Sequence, residues 1–253
     1  MRYGTYLRNE LRLQGYLLQR YWQESLAAFA ALLMVLLGLL YAVVTLGEVT
    51  MESGRLDGLI LGSVLWLFAG AAFASTAGEV ADEIRQRTLE QLCIAPLALS
   101  TILGLRAIVK LAAAAVTAIC MLLIVEVSTQ PRLVIEYGAL VGVLLLAAPS
   151  LTGLGYAMAG IVLIARKIDG LLLLAYPSLL LLVACPATPS SATALLPYTL
   201  GASAARSITA GELVPWYVYA LTGVISIGWL LLGTMIFRRC EHHARKLGIM
   251  GHV

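Results

Sequence analysis

Charged side chains fall in short clusters along this chain, and the uncharged runs between them set the architecture. No Asp, Glu, Lys, Arg or His lies between Glu24 and Glu48, Asp57 and Glu79, Lys110 and Glu126, Glu136 and Arg166, Asp169 and Arg206, or Glu212 and Arg238. About twenty apolar residues in a helix cross the hydrocarbon core of a bilayer, and an unpaired charge near its centre is costly. Five of the runs reach that length. The run between Lys110 and Glu126 is shorter and is expected to lengthen by snorkelling of the charged residues at its ends. The pattern predicts an all-α polytopic membrane protein with six transmembrane helices, forming one domain over residues 1–253.

The fifth run, residues 170–205, is too long for one crossing and too short for two with a loop. Pro186, Pro189 and Pro197 cut it, because proline lacks the amide proton that a helix interior needs. The expected reading is a crossing over 170–185, then a broken re-entrant segment over 190–206. Non-helical backbone at membrane depth persists only where protein or a water-filled cavity covers it, so this segment points to the mouth of a pathway.

Two stretches outside the runs carry patterns of their own. On a helical wheel of residues 1–24, Tyr3, Tyr6, Leu7, Leu11, Leu13, Leu17, Leu18, Tyr21 and Trp22 share one side, opposite Arg2, Thr5, Arg8, Asn9, Arg12, Gln19 and Arg20. Such a face describes an amphipathic helix lying in the membrane interface, acting as an anchor alone or also as a docking surface. Glu10, Gln14 and Tyr16 break the pattern. Residues 79–96 concentrate Glu79, Asp82, Glu83 and Glu90 with Arg85 and Arg87. Val80, Ile84 and Leu92 recur near helical spacing, Glu83 and Arg87 stand at i,i+4, and Pro96 is expected to end the helix. By pattern alone this is a solvated helical connection.

Composition sharpens the class. The chain is 60% hydrophobic and 12% charged, far from a soluble domain. A net charge of +3 with most of the chain in lipid leaves no basic groove for nucleic acid. Cys93, Cys120, Cys185 and Cys240 are dispersed and indicate neither a disulfide framework nor a zinc site. Of the 17 Lys and Arg residues, all but Arg55, Arg132 and Arg206 fall on one side of the expected topology. Lysine and arginine in short loops stay cytoplasmic, so both termini are expected inside. The first apolar run is too long for the core of a cleaved signal peptide and is expected to remain as a span.

Arg87-Thr88-Leu89-Glu90-Gln91-Leu92 followed by Ala95-Pro96-Leu97 resembles the signature of type 2 ABC exporter permeases, roughly E-x-x-x-G-T-L-E-x-L-x-x-x-P, which joins their second and third spans. Arg87 stands where that family often has glycine. The order of the remaining features is similar: Gly153-Leu154-Gly155 in the fourth span, Arg166-Lys167 after it, and Leu196-Pro197-Tyr198, Arg206 and Gly211 before the sixth. The resemblance implies a half-transporter in a bacterial inner membrane that pairs with a second copy or close relative. It also implies two cytoplasmic ATPase subunits, which would use ATP and Mg while this chain binds no cofactor. Residues 79–100 would hold the coupling segment. The implied ATPase interface is Arg8, Arg12, Glu79, Glu83, Arg85, Arg87, Thr88, Leu89, Glu90, Leu92 and Pro96, and the implied pathway mouth is Pro197 and Tyr198.

Two absences from the sequence point the same way. Ion-coupled carriers place ionisable groups inside their spans, and the apolar runs hold none. The phosphate-cradling G-x-x-x-x-G-K-[ST] pattern is also missing, so energy is expected from a partner. No G-x-S-x-G elbow occurs. His242 and His243 are adjacent, about 100° apart on a helix, which is a poor arrangement for one metal. No residue is therefore expected to be catalytic or metal-ligating. Uncharged spans favour an apolar or amphipathic cargo such as a lipid, drug or lipid-linked molecule. Gly62 with Gly70, Gly138 with Gly142, and Gly153, Gly155 and Gly160 are expected at helix contacts. A partner-independent carrier or channel and a non-transporting scaffold remain the alternatives.

Overall fold

A computed structural model describes residues 2–46, 54–89, 92, 97–129, 136–165 and 169–246, and all regular structure among them is helical. The elements are α1 (Arg2–Arg20), α2 (Trp22–Leu46), α3 (Gly54–Ala74), α4 (Ala77–Arg85), α5 (Leu99–Thr129), α6 (Tyr137–Ala165), α7 (Asp169–Ala184), a 3-10 turn (Ala192–Leu195), α8 (Thr199–Thr209) and α9 (Trp216–Lys246).

Three of these hold stretches long and apolar enough to cross a membrane: Leu99–Val127, Tyr137–Ala165 and Trp216–Lys246. The total is five if two bent pairs each count as one span, the first bent by 83° between α1 and α2 and the second by 52° between α3 and α4. Leu172–Ala184 in α7 is a shorter apolar helix. The chain is thus an all-helical, membrane-embedded protein.

Helix α6 is the axis. It packs along α9 and also meets α3, α4, α5 and α8. Apolar side chains gain little from leaving lipid tails for one another, so close packing of small residues must supply the attraction. Gly153 and Gly233 meet where α6 crosses α9, and a Cβ on either would overlap the backbone of the other helix. About two turns further along α6, Gly160 lies against Phe237 and Cys240. On the opposite side of α6, Gly155 receives Thr76 and the Phe73 carbonyl, and the Thr76 hydroxyl donates to the Thr152 carbonyl at 3.2 Å. Gly201 of α8 abuts Ala147 of α6. The expected packing role therefore holds for Gly153, Gly155 and Gly160, and in looser form for Gly70 beside the Tyr176 ring. It fails for Gly62, Gly138 and Gly142, which face open space. Spacing puts two glycines on one face of a helix but does not bring a partner to that face.

The third apolar run lies inside a longer helix, since α5 begins at Leu99 and carries Arg106 and Lys110 within it. Of the charges at its ends, Lys110 pairs with Glu79, and Glu126 accepts from the Tyr137 hydroxyl. One further expectation is corrected: residues 79–96 are not one helix ending at Pro96, since α4 stops at Arg85. Beyond it Arg87 turns left-handed, with φ 57°.

Replacing Gly233 with leucine is expected to destabilise the fold by about 3 kcal/mol, because neither backbone can withdraw from the crossing. Gly142→Ala, with open space at its Cβ, is expected to raise stability by up to about 1 kcal/mol through helix propensity alone. Thermal unfolding in detergent, followed by tryptophan fluorescence, reads both.

Candidate functional site

Two of the four charged residues of α4, Glu79 and Glu83, turn inward onto α5, while Asp82 and Arg85 stay exposed. Arg106 donates through Nη1 to Glu79 Oε2 at 3.0 Å and to Glu83 Oε1 at 2.7 Å. Lys110, one turn further along α5, takes the other oxygen of Glu79. From α1, Glu10 brings its Oε1 to 3.9 Å from Arg106 Nε, and that Nε has no hydrogen-bond partner. The side chains of Glu10, Glu79, Glu83 and Arg106 retain between 8% and 18% of their exposure, which reduces the screening that makes surface pairs weak. Arginine stays protonated and presents a planar fork of donors. Arg106 is therefore the fixed positive centre about which three carboxylates from two helices gather.

The stop of α4 is built from backbone. Arg87 N–H donates to the Ile84 carbonyl at 3.2 Å and Thr88 N–H to the Glu83 carbonyl at 3.0 Å, closing the last turn around a left-handed residue. The same pair of bonds ends α8, where Gly211 N–H donates to Ile208 at 3.1 Å and Glu212 N–H to Ser207 at 2.9 Å. There the left-handed position is a glycine at φ 77°, which pays no Cβ penalty. At the end of α4 an arginine bears that strain. The position at which the resembled signature carries glycine is thus one whose backbone demands it.

Past the stop, the Thr88 hydroxyl donates to the Glu83 carboxylate, and Leu92 N–H donates to the Thr88 carbonyl at 3.4 Å, opening a new helical turn. Leu89 is buried among Val80, Leu99, Leu103, Tyr156, Val162 and Phe237. Leu92 packs at the edge of that cluster. One ion cluster above and one apolar anchor below thereby fix the segment after α4 against α5, α6 and α9.

Of the residues expected at a docking surface, the fold brings Glu79, Glu83 and Thr88 together, buries Leu89 and half-buries Leu92. Arg8 and Arg12 are exposed on α1, Arg87 is exposed at the turn, and Arg85 is exposed beside Asp82 at 3.3 Å. The expected i,i+4 pair of Glu83 with Arg87 does not form, because Glu83 is committed to Arg106 and Thr88. Glu90 and Pro96 lie outside the described residues. Sequence reasoning passed over Glu10, Arg106 and Lys110. Only Glu10 left a signal, as a carboxylate breaking the wheel of α1, and its partner is 96 positions away.

The broken segment after α7 is satisfied by protein. Arg206 in α8 donates to the Val183 carbonyl at 2.5 Å, to Cys185 at 3.4 Å and to Ala202 at 3.2 Å, covering carbonyls that the end of a helix leaves open. Ser203 Oγ accepts from Ala187 N–H at 2.9 Å, and Trp229 Nε1 donates to the Leu195 carbonyl at 2.9 Å. Of the two covers that such a backbone tolerates, these contacts are the protein one. Pro197 and Tyr198 are both buried. Tyr198 is left-handed at φ 70°, held by stacking on Phe68 and by a hydroxyl bond of 3.4 Å to the Leu65 carbonyl. Its ring belongs to the helical core.

No family model matches this chain, and neither the curated proteins nor the solved structures contain a match to it.

Arg106→Met is expected to cost about 3 kcal/mol, since it leaves Glu79, Glu83 and Glu10 clustered with only Lys110 to offset them. Arg106→Lys should lose less, and both are read by denaturation in detergent. Arg87→Gly should instead stabilise the protein by about 1 kcal/mol, because glycine adopts the left-handed turn without strain. A lower melting temperature for that variant would overturn the account of the turn.

Proposed function

We propose that this chain is the membrane subunit of an ATP-driven exporter of the type 2 ABC class, moving an apolar or amphipathic substrate. On this reading α2, α3, α5, α6, α7 and α9 are six crossings, both termini face the cytoplasm of a bacterial cell, and α1 lies in the interface. Two ATPase subunits and a second membrane subunit complete the complex. Residues 79–100 form the coupling segment, with Glu90 contacting the ATPase.

One observation carries the reading. The segment that would receive force is tied to α5 through Arg106 and Lys110 and to α1 through Glu10, with Leu89 seated against α6 and α9. A push on residues 79–89 is then delivered to several helices together, as rigid-body switching requires. A solvated connection would need none of these ties. The chemistry of the reaction belongs to the ATPase, and the work of this chain is mechanical.

Mild-detergent purification from the native host, with mass spectrometry of bound proteins and an ATPase assay, tests the proposal. A stoichiometric soluble partner with a phosphate-binding G-x-x-x-x-G-K-[ST] motif is expected. Glu90→Arg is expected to weaken its retention more than about tenfold, the loss from reversing a charge at an interface, without affecting membrane insertion. Recovery of the chain alone, or full ATPase retention and transport in the variant, would sink the exporter reading. A bound ATPase whose hydrolysis ignores every cargo would favour a scaffold.

A further inference from the structure

A groove between α3, α5 and α7 joins two chemistries. Its deeper part is an apolar cavity of about 330 Å³ whose walls include Leu67, Phe68, Ala71, Ala114 and Met121. Ala74 and Tyr176 line both this cavity and a neighbouring one of about 400 Å³, which is also walled by Asp82, Arg85 and Lys110. Along α5 roughly 16 Å of helix separates Met121, deep in the apolar part, from Lys110 at the polar mouth. The groove therefore runs lengthwise with the helices and changes from apolar to charged at one end.

The mouth is of mixed sign. Lys110 retains 36% of its side-chain exposure while paired with Glu79. Arg85 and Asp82, 3.3 Å apart, retain 53% and 56%. Two cations and one reachable carboxylate match a phosphate that carries a primary amine: the phosphate oxygens accept from Lys110 and Arg85, and the ammonium donates to Asp82. The Tyr176 ring, which lines both cavities, stands at their junction. A plain anionic headgroup would set its charge against Asp82, and a quaternary choline has no N–H to give. The apolar cavity beyond takes a hydrocarbon chain.

We propose that this groove binds one phosphatidylethanolamine molecule, with an acyl chain in the cavity and the headgroup at Asp82, Arg85 and Lys110. The site stands on the groove and its mouth and does not rest on the transport reading.

Delipidated full-length protein, titrated with phosphatidylethanolamine, phosphatidylglycerol or phosphatidylcholine of matched chains and read by native mass spectrometry, tests it. One phosphatidylethanolamine per chain is expected, held about tenfold more tightly than the other two, the difference made by one charge-assisted hydrogen bond. Asp82→Asn, on an exposed side chain, should erase that preference. Ala71→Leu, at an exposed alanine lining the cavity, should weaken phosphatidylethanolamine binding about tenfold without changing the melting temperature of the lipid-free protein. Equal binding of the three lipids, tighter binding of phosphatidylglycerol, a preference that survives Asp82→Asn, or binding untouched by Ala71→Leu would each overturn the site.

Discussion

A charge taken out of water must find opposite charge or forfeit several kcal/mol, and Arg106 meets that constraint at the inner edge of three helices. Its guanidinium takes Glu79 and Glu83 from α4 and stands near Glu10 of α1, while Lys110 neutralises the outer oxygen of Glu79. Remove the arginine and the acids that hold α1 and α4 repel each other. Much else about this end of the molecule follows from that arrangement: Glu79 and Glu83, at i,i+4 on α4, both face α5, and beyond α4 the chain must reverse to return as α5.

The reversal explains a detail that the sequence leaves odd. Arg87 occupies a left-handed position, and the identical backbone bonding at the end of α8 uses Gly211. A glycine in a linear signature often records a backbone demand rather than a side-chain function. Here an arginine meets the demand that Gly211 meets at the end of α8, and the turn is held by its neighbours: the Thr88 hydroxyl on Glu83 and the burial of Leu89. This is also what makes residues 79–89 a body that moves as one piece in the proposed mechanism.

At the opposite extreme of polarity, α6 shows how helices associate when lipid competes for every apolar side chain. Its contacts are made by backbone approaching backbone at Gly153 and Gly155, with Thr76 supplying a hydrogen bond across the crossing. Beyond α7, Arg206 and Ser203 complete the bonding of a chain broken by prolines. The two regions solve one problem, keeping backbone polar groups satisfied away from water, by opposite means: one through regular helices packed tightly, the other through side chains that stand in for missing helix bonds.

Helix existence, the apolar runs and the break after α7 were all legible in the residues, because each depends on local properties: the hydropathy of consecutive positions, the missing amide of Pro186, Pro189 and Pro197, and the wheel of α1. What the residues could not announce was pairing. Gly138 and Gly142 looked as much like a packing face as Gly153 and Gly160, yet only the latter meet a partner. Arg106 and Lys110 read as charges that orient a loop, and Glu10 as a flaw in an amphipathic face, until the fold set Glu10 beside Arg106. Periodicity is written into neighbouring positions, whereas ion pairs and helix crossings are agreements between positions far apart, and only the packed structure decides which of them meet.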